Sequence, residues 1–355
     1  GIAVLLYYLF QAVIARLRFV LDAKTARLLA LTSAGLWLLH PLNVSTVLYA
    51  VQRMAQLSAL FVVTGLLVFM CYRQRWADTG ATVGEVLAAG LWLILLTAFA
   101  VLSKESGALL PWLIVVLEVC IFQGVWAGRP NRGLRFTGYV LLLLPVGLVF
   151  LLLAVTPDSL IGAYARREFT LEERLLTQPR LLWRYLGWIV IPNISDMGFQ
   201  HDDIITSTGL FAPVTTLLAL LGWAIMLVAA FLLRRRHPLL LLALLFFLVG
   251  HSMESSLIAL EMVYEHRNYL PGTMVCLVMA AVIVLPATRS KSLNVWYPVA
   301  GAMTILALLL FIRVHAWSDE LTLSRTNLAQ HPESSRSNYF YANALLRHYR
   351  RADER

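Results

Sequence analysis

Long apolar runs recur along this chain, and they constrain its fold more than any other feature. Many of the runs have about 18–22 residues, the length that an α-helix needs to cross the hydrocarbon core of a bilayer. Backbone groups in lipid must be paired within the chain, so the runs are predicted to be helices. Only 14% of the residues are charged, against about a quarter in soluble domains. We predict an all-α, polytopic transmembrane helical bundle with about ten spans, at 1–15, 23–40, 54–72, 84–102, 106–123, 134–155, 211–233, 237–252, 269–287 and 294–312.

Basic residues support this arrangement of spans. They fall in every second loop, which is typical of cytoplasmic loops in membrane proteins. The net charge of +9 is therefore assigned to loops, and no nucleic acid is predicted as a partner. The basic loop residues are Arg16, Arg18, Lys24, Arg27, Arg73, Arg75, Arg129, Arg132, Arg135, Arg234, Arg235, Arg236, Arg289 and Lys291.

The other loops are predicted to share the outer face of the membrane. Residues 1–313 form the predicted membrane domain, and 314–355 form a tail domain on the same outer side. Usage rich in Leu, Arg and Ala favours a bacterial source, so we expect an integral protein of the inner membrane with its site and C-terminus in the periplasm. The predicted outer segments are 40–53, 103–107, 156–210, 251–268 and the tail from about 313.

The segment 156–210 is too long for a plain connector. It contains "LEERLLTQPRLLWRYLGWIVIP", which predicts an amphipathic helix in the membrane interface that is broken or kinked at Pro179. The residues expected to share its apolar stripe are Leu175, Leu176, Leu182, Trp183 and Leu186.

The tail has a soluble character and predicts two amphipathic helices separated at His331 and Pro332. One helix pair cannot bury its own core, and stacked repeats need about three units. The tail is therefore interpreted as the start of a helical repeat array. The residues expected to face inward on the second helix are Ala342, Leu345, Leu346 and Tyr349.

Cationic side chains at the outer ends of spans suggest a site for an anionic ligand. They could bind phosphate, with Arg offering a bidentate fork and Lys a point charge. The alternative is that they are interface residues whose charged ends reach water. The cations concerned are Arg53, Lys104, His266 and Arg267.

The acids and remaining polar residues of the outer face have both functional and structural interpretations. Glu105 is a candidate catalytic acid or a local partner of Lys104, and Glu265 is ambiguous in the same way beside Arg267. Asp202 and Asp203 are candidate catalytic residues, at which a divalent metal is possible, or solvated loop acids; no other cofactor is indicated. The other residues of the candidate site are His40, which also ends a helix before Pro41, Gln52, which could bond to Arg53, and His201.

Four sequence stretches together resemble the GT-C superfamily of membrane glycosyltransferases. They are "LLHPLNVSTVLYAVQRMAQLSALF", "LSKESGALLP", "LLWRYLGWIVIPNISDMGFQHDD" and "YEHRNYLP". With the repeat-like tail, the chain is most similar to TMTC-like proteins, which join a GT-C membrane domain to tetratricopeptide repeats (TPR). The likeness covers about 28–355.

This resemblance implies transfer of a sugar from a polyprenyl-phosphate donor to a protein or glycan acceptor at the periplasmic or luminal face. The tail repeats would hold the acceptor protein, and the bilayer would hold the lipid donor. The family's catalytic acid lies in the first outer loop, which we expect to precede this sequence. Two alternatives stay open: a lipid-linked-oligosaccharide ligase or polymerase, and a non-catalytic scaffold whose repeats recruit partners.

Overall fold

Four stretches of the chain are described by the computed structural model. The basic residues Arg18 and Lys291, the first six residues of the outer segment (156–161) and the last two of the tail (354–355) lie outside them. The described stretches are residues 1–17, 21–155, 162–289 and 294–353.

Within these stretches the chain is helical almost throughout, as predicted. A short hairpin pairs Val125–Trp126 with Arg129–Pro130, and short 3₁₀ or π turns join several helices. The 14 α-helices are α1 (Ile2–Arg16), α2 (Ala23–Leu38), α3 (Val44–Leu48), α4 (Arg53–Thr79), α5 (Val83–Ser103), α6 (Leu110–Leu117), α7 (Arg132–Val155), α8 (Leu171–Val190), α9 (Thr215–Leu233), α10 (Pro238–His251), α11 (Thr273–Arg289), α12 (Trp296–Ala316), α13 (Glu320–Gln330) and α14 (Ser335–Asp353).

Six helical segments of the described chain are long and apolar enough to cross a membrane. A seventh candidate is α2 together with Pro41–Leu48, which is bent by 48° at the break. The apolar helices α1, α10 and α11 are shorter than 18 residues. The structure therefore supports a membrane protein with about six apolar spans, and the number ten stays a prediction. The six segments are Ala50–Thr79, Val83–Ser103, Glu105–Phe122, Arg132–Val149, Thr215–Leu233 and Trp296–Ala316.

Side-chain capping fixes where several helices begin. Thr82 accepts a hydrogen bond from the backbone N–H of Glu85, and the Glu85 carboxylate accepts one from the N–H of Thr82, so α5 starts with a capping box. Thr170 and Glu173 start α8 in the same way. Each pair satisfies backbone donors that the first turn of a helix leaves unpaired.

The centre of the bundle consists of the short apolar helices and their neighbours. α2 packs on α1 and α11, α1 packs on α4, and α10 packs on α11. Phe10, Leu29, Phe246 and Leu277 are fully buried there. In contrast, α5, α7, α9 and α12 carry many exposed apolar side chains. Such outer faces are compatible with lipid, because a soluble protein rarely exposes large contiguous apolar patches.

The amphipathic helix α8 continues through Pro179 without a break. The residues of its predicted apolar stripe are exposed or half-buried. Polar residues near its start turn inward, because Arg174 and Gln178 donate hydrogen bonds to backbone carbonyl groups of the chain after α10. The buried residues are Arg174, Thr177, Gln178, Leu181, Tyr185, Trp188 and Ile189.

The tail forms two helices, α13 and α14, which pack against each other and separate at His331 and Pro332. The predicted inward face of α14 was wrong, because Leu346 and Tyr349 are exposed. Ser337 and Ala344 are buried instead. One helix pair is present, so a repeat array stays a prediction.

The fold brings the three polar interruptions together. Pro41–Asn43 and α3 contact Glu265–Asn268, and Glu105–Leu109 packs against α4 and α5. The interruptions therefore meet where α2 and α10 end and α4, α6 and α11 begin.

Candidate functional site

A cavity of about 570 Å³ lies where the three interruptions meet. All three contribute to its wall, together with residues from the loop after α8 and from the chain after α10. Its lining residues include Ser45, Tyr49, Gln52, Lys104, Glu105, Phe199, Gln200, Glu254, Glu261, Tyr264, Glu265, His266 and Arg267.

Two of the predicted cations share one carboxylate in this cavity. Lys104 Nζ lies 2.5 Å from Glu254 Oε1, and Arg267 Nε lies 3.8 Å from Glu254 Oε2. Burial raises the pKa of Glu254, but the charges of Lys104 and Arg267 outweigh it and hold this pKa below its ordinary value. With Glu254 ionised, the trio carries one net positive charge.

A second trio of the same kind stands beside the first. Arg167 lies 2.6 Å from Glu261 Oε1, and Arg336 lies 3.2 Å from Glu261 Oε2. Arg167 and Glu261 line the cavity, while Arg336 comes from α14. Two cations again share one carboxylate, and Asp202 lies close enough to Arg336 to attract it as well.

His266 is not the cation that the sequence suggested. Burial, reinforced by the positive charge of Lys104, lowers the pKa of His266 to about 3. The imidazole is therefore neutral near pH 7, and its ring stacks on Tyr264 with centroids 4.9 Å apart. A neutral imidazole can still donate or accept one hydrogen bond to a ligand.

Arg267 has structural contacts besides its approach to Glu254. Its Nη1 donates to the carbonyl oxygen of Met262 at 3.0 Å, and its guanidinium lies 5.4 Å from the centroid of the Tyr264 ring. Arg267 is thus held in place before any ligand arrives.

Glu105 is exposed and lines the cavity. The predicted local pair with Lys104 was wrong, because Lys104 pairs with Glu254 instead. Among the described residues, Glu105 has no ion-pair partner, whereas Glu254, Glu261 and Glu265 all have one. Glu105 is therefore the carboxylate in this cavity that is available to a ligand.

Arg53 does not belong to the site. It is exposed at the start of α4 and does not line the cavity, whereas its neighbours Gln52 and Met54 do. Gln52 is buried, and its Oε1 lacks a hydrogen-bond partner within the described chain. The predicted hydrogen bond between Gln52 and Arg53 is therefore not formed. Gln52 lines the cavity, and its side-chain oxygen accepts no hydrogen bond from the described protein.

His40 has the structural role that was one of its two interpretations. It is buried, its Nδ1 accepts from the backbone N–H of Leu42, and its Nε2 lies 3.0 Å from the carbonyl oxygen of Ile189. These contacts cap the turn at Pro41–Asn43 and tie it to the end of α8.

Glu265 pairs with a residue from the last apolar helix rather than with its neighbour Arg267. Arg313 Nη2 donates to both carboxylate oxygens of Glu265, at 2.8 and 3.0 Å, and Arg313 Nη1 donates to the Met197 carbonyl. His201 lies behind this pair, 3.9 Å from Glu265, and does not line the cavity. Burial, with neighbouring His331, lowers the pKa of His201 well below its ordinary value.

Asp202 and Asp203 contact the tail and do not line the cavity, so a catalytic or metal-binding role for them stays a prediction. Asp202 accepts hydrogen bonds from the Ser334 hydroxyl and from the backbone N–H of Arg336, at the start of α14. Asp203 lies 2.8 Å from His331 Nδ1. Within the described residues, no group of three His, Cys, Asp or Glu side chains is placed to hold a metal ion.

Several apolar side chains open the cavity toward the outside of the bundle. Val51, Met54 and Ile258 line it and are exposed. The cavity therefore joins an ionic interior to an apolar mouth.

Comparison with protein-family models, with curated proteins and with solved structures finds no match to this chain. The site must therefore be interpreted from its own geometry.

Sequence reasoning missed four residues that shape the site. Glu254 and Glu261 lie in a predicted outer segment. The predicted cations Lys104 and Arg267 on the same face need a counterion, and this need could have identified the two glutamates. Arg313 ends an apolar run and Arg174 lies on an amphipathic helix, and each is buried. No local pattern in the sequence distinguishes a buried arginine from an exposed one at these positions.

Proposed function

We propose that this chain is a GT-C-type membrane glycosyltransferase that moves a sugar from a polyprenyl-phosphate donor to a protein or glycan acceptor at the periplasmic or luminal face. The observation that carries this proposal is the cavity in which Lys104, Arg267 and an unpaired Glu105 meet at the ends of apolar helices.

The electrostatics of the cavity suit a phosphate. The trio of Lys104, Glu254 and Arg267 carries one net positive charge, and no carboxylate besides Glu254 forms an ion pair with it among the described residues. In the transfer step the sugar–oxygen bond to the donor phosphate breaks, and negative charge grows on the departing phosphate. Fixed cations stabilise such charge in a site that excludes water.

Glu105 is the proposed general base. A carboxylate within hydrogen-bond reach can take the proton of the acceptor hydroxyl while that oxygen forms the new bond to the sugar. Asp202 and Asp203 are not assigned this role, because they contact the tail and do not line the cavity.

The surroundings supply routes for both substrates. The exposed side chains of Val51, Met54 and Ile258 would receive the isoprenoid chain of the donor. A second groove of about 630 Å³ lies between the cavity and the tail, and Gln200 and Tyr264 line both spaces. An acceptor held against α14, as the first element of a TPR-like array, would reach the cavity along this groove.

The proposal includes ten membrane crossings. In this arrangement α1, α10, α11 and the bent α2 segment cross the membrane in addition to the six longer segments. Supporting this, the three short helices lie among the longer ones and are apolar along their length.

The test uses the purified full chain in lipid nanodiscs with a panel of polyprenyl-phosphate sugars and acceptor peptides. We expect Lys104→Gln to weaken donor binding at least about tenfold, because it removes a hydrogen bond to a charged group. Glu105→Gln should retain donor binding and lose about 10²-fold or more of the transfer rate. Arg53→Gln is the matched control and should change neither measurement.

A non-catalytic scaffold is the second candidate, and one observation favours it. Lys104 and Arg267 are already engaged by Glu254, as in a purely structural ion-pair network. A scaffold would bind none of the donors, and Lys104→Gln would act only by lowering the thermal stability. That combination of results would reject the transferase.

A further inference from the structure

A second large cavity lies at the far end of the bundle from the candidate site. The helix α10 connects the two regions, because it begins at Pro238 beside the second cavity and ends at His251, close to Glu254. The second cavity has a volume of about 550 Å³ and lies between the π turn that follows α6 and the helices α7, α9 and α10. No part of the proposed transfer reaction uses it.

Three arginines line this cavity. Arg135 comes from the first turn of α7, and Arg234 and Arg235 directly follow α9. Within the described residues, none of the three forms an ion pair and no acidic residue lines the cavity. Glu118 is close in sequence to the lining residues, but its carboxylate is bound by Arg73 at 2.7 and 2.8 Å.

The rest of the cavity wall is mostly apolar. Val228 and Phe231 are exposed on α9, and the Arg234 guanidinium lies 3.7 Å from the centroid of the Phe231 ring. A guanidinium on an aromatic face keeps its charge while it is partly removed from water. The wall residues are Leu142, Leu227, Val228, Phe231, Leu241 and Leu245.

We infer that this cavity binds one anionic phospholipid. The phosphate of the headgroup would lie among Arg135, Arg234 and Arg235, and the acyl chains would extend along the apolar wall of α7, α9 and α10. Basic pockets between membrane helices bind anionic headgroups in this way. The first turn of α10 adds the positive end of a helix dipole beside the same space. The apolar wall favours a lipid over a free anion, because a soluble phosphate would leave most of the wall uncovered.

The test is native mass spectrometry of the purified full chain, released from detergent with added phosphatidylglycerol or phosphatidylcholine. We expect one phosphatidylglycerol to be retained in preference to phosphatidylcholine. The triple variant Arg135→Gln, Arg234→Gln, Arg235→Gln should bind it at least about tenfold more weakly.

The matched control changes three other exposed arginines, Arg129→Gln, Arg132→Gln and Arg236→Gln, which do not line the cavity. It removes the same total charge and should retain the lipid. A second variant, Val228→Trp, narrows the wall and leaves all three arginines in place, and it should also lose the lipid.

Three results would overturn the inference. The two triple variants could lose lipid equally, which would indicate attraction to a basic surface without a defined site. Glycerol phosphate could compete as well as the lipid, which would indicate a site for a soluble anion. Phosphatidylcholine could bind as tightly as phosphatidylglycerol, which would remove the role of the arginines.

Discussion

The ion pair of Glu265 and Arg313 joins two distant parts of the chain under the cavity. Both side chains are almost completely buried, and their contact is bidentate. A buried ion pair is costly to form, because both charges leave water, and each member then depends on the other. This pair fixes the start of the Glu265–Asn268 turn against the last apolar helix.

Removing one member of the pair should therefore lower the free energy of unfolding by more than the loss of an ordinary contact would. Arg313→Met would leave the Glu265 carboxylate buried without its cation, and we expect the free energy of unfolding to fall by about 3–5 kcal/mol. Thermal unfolding of the purified protein in detergent measures the change. The exposed Arg325→Gln serves as control, and the double variant Arg313→Met, Glu265→Leu should recover most of the loss. A single variant as stable as the wild type would show that the pair contributes no stability.

The sequence gives a more accurate prediction of which segments lie together than of which side chains bond to each other. Lys104, Arg267, Glu105, Gln52 and Glu265 all line one cavity, because charge placement and apolar length already determine which loops share a side. Pairing among them depends on distances of a few ångströms between segments far apart in the chain. Sequence proximity therefore misled: Glu105 does not pair with Lys104, and Glu265 does not pair with Arg267.

At the scale of elements, α8 acts as the support of the site. Arg174 donates to the carbonyl oxygens of Glu254, Ser256 and Leu260, and Tyr185 Oη accepts from the backbone N–H of Tyr264. The chain after α10 has little regular structure, so these bonds take the place of a backbone ladder. Burial, together with the nearby charge of Arg267, lowers the pKa of Arg174 to about 10, which leaves it charged near pH 7.

Loss of this support should loosen the chain that carries Glu254 and Glu261. In Arg174→Gln we expect amide hydrogen exchange across 252–264 to accelerate more than about tenfold, since hydrogen bonds to a charged group contribute about 1.5–3 kcal/mol each. Exchange in α4 should stay unchanged. The control is Arg166→Gln, an exposed arginine of the segment before α8. Equal exchange in both variants would contradict the supporting role.

Sequence periodicity located α8 and its apolar stripe but did not identify the polar residues that the helix buries. The inward face at its start meets carbonyl groups that need donors, so Arg174, Thr177 and Gln178 are buried. Leu181, Tyr185, Trp188 and Ile189 are buried further along the helix. A single sequence does not reveal which polar residues are buried, because burial depends on what the helix packs against.

At the scale of the whole molecule, the tail packs against the loop that follows α8. Asn327 accepts from the backbone N–H groups of Phe199 and Gln200 and donates to the Ser337 hydroxyl. Phe199 and Gln200 also line the cavity. The tail therefore fixes one wall of the candidate site as well as its own position.

We expect Asn327→Ala to release that wall. The change leaves two partly buried backbone donors without an acceptor, which costs about 1–3 kcal/mol, and limited proteolysis should cut the chain near 198–203 faster. Asn343→Ala is the control, because its amide bonds only to Tyr339 within α14. Identical cleavage of the two variants would show that the tail does not hold this wall.

The brevity of α10 has a consequence for where a ligand would meet the protein. Its 14 residues rise about 21 Å, less than the thickness of roughly 30 Å of a hydrocarbon layer. A chain that leaves such a helix becomes polar while lipid tails still surround it. Glu254 would then lie beneath the level of the headgroups, and a lipid-borne phosphate would have to sink below its neighbours to touch Lys104. Membrane lipids with bulky or strongly hydrated headgroups would then bind less well, because their phosphate could not reach that depth.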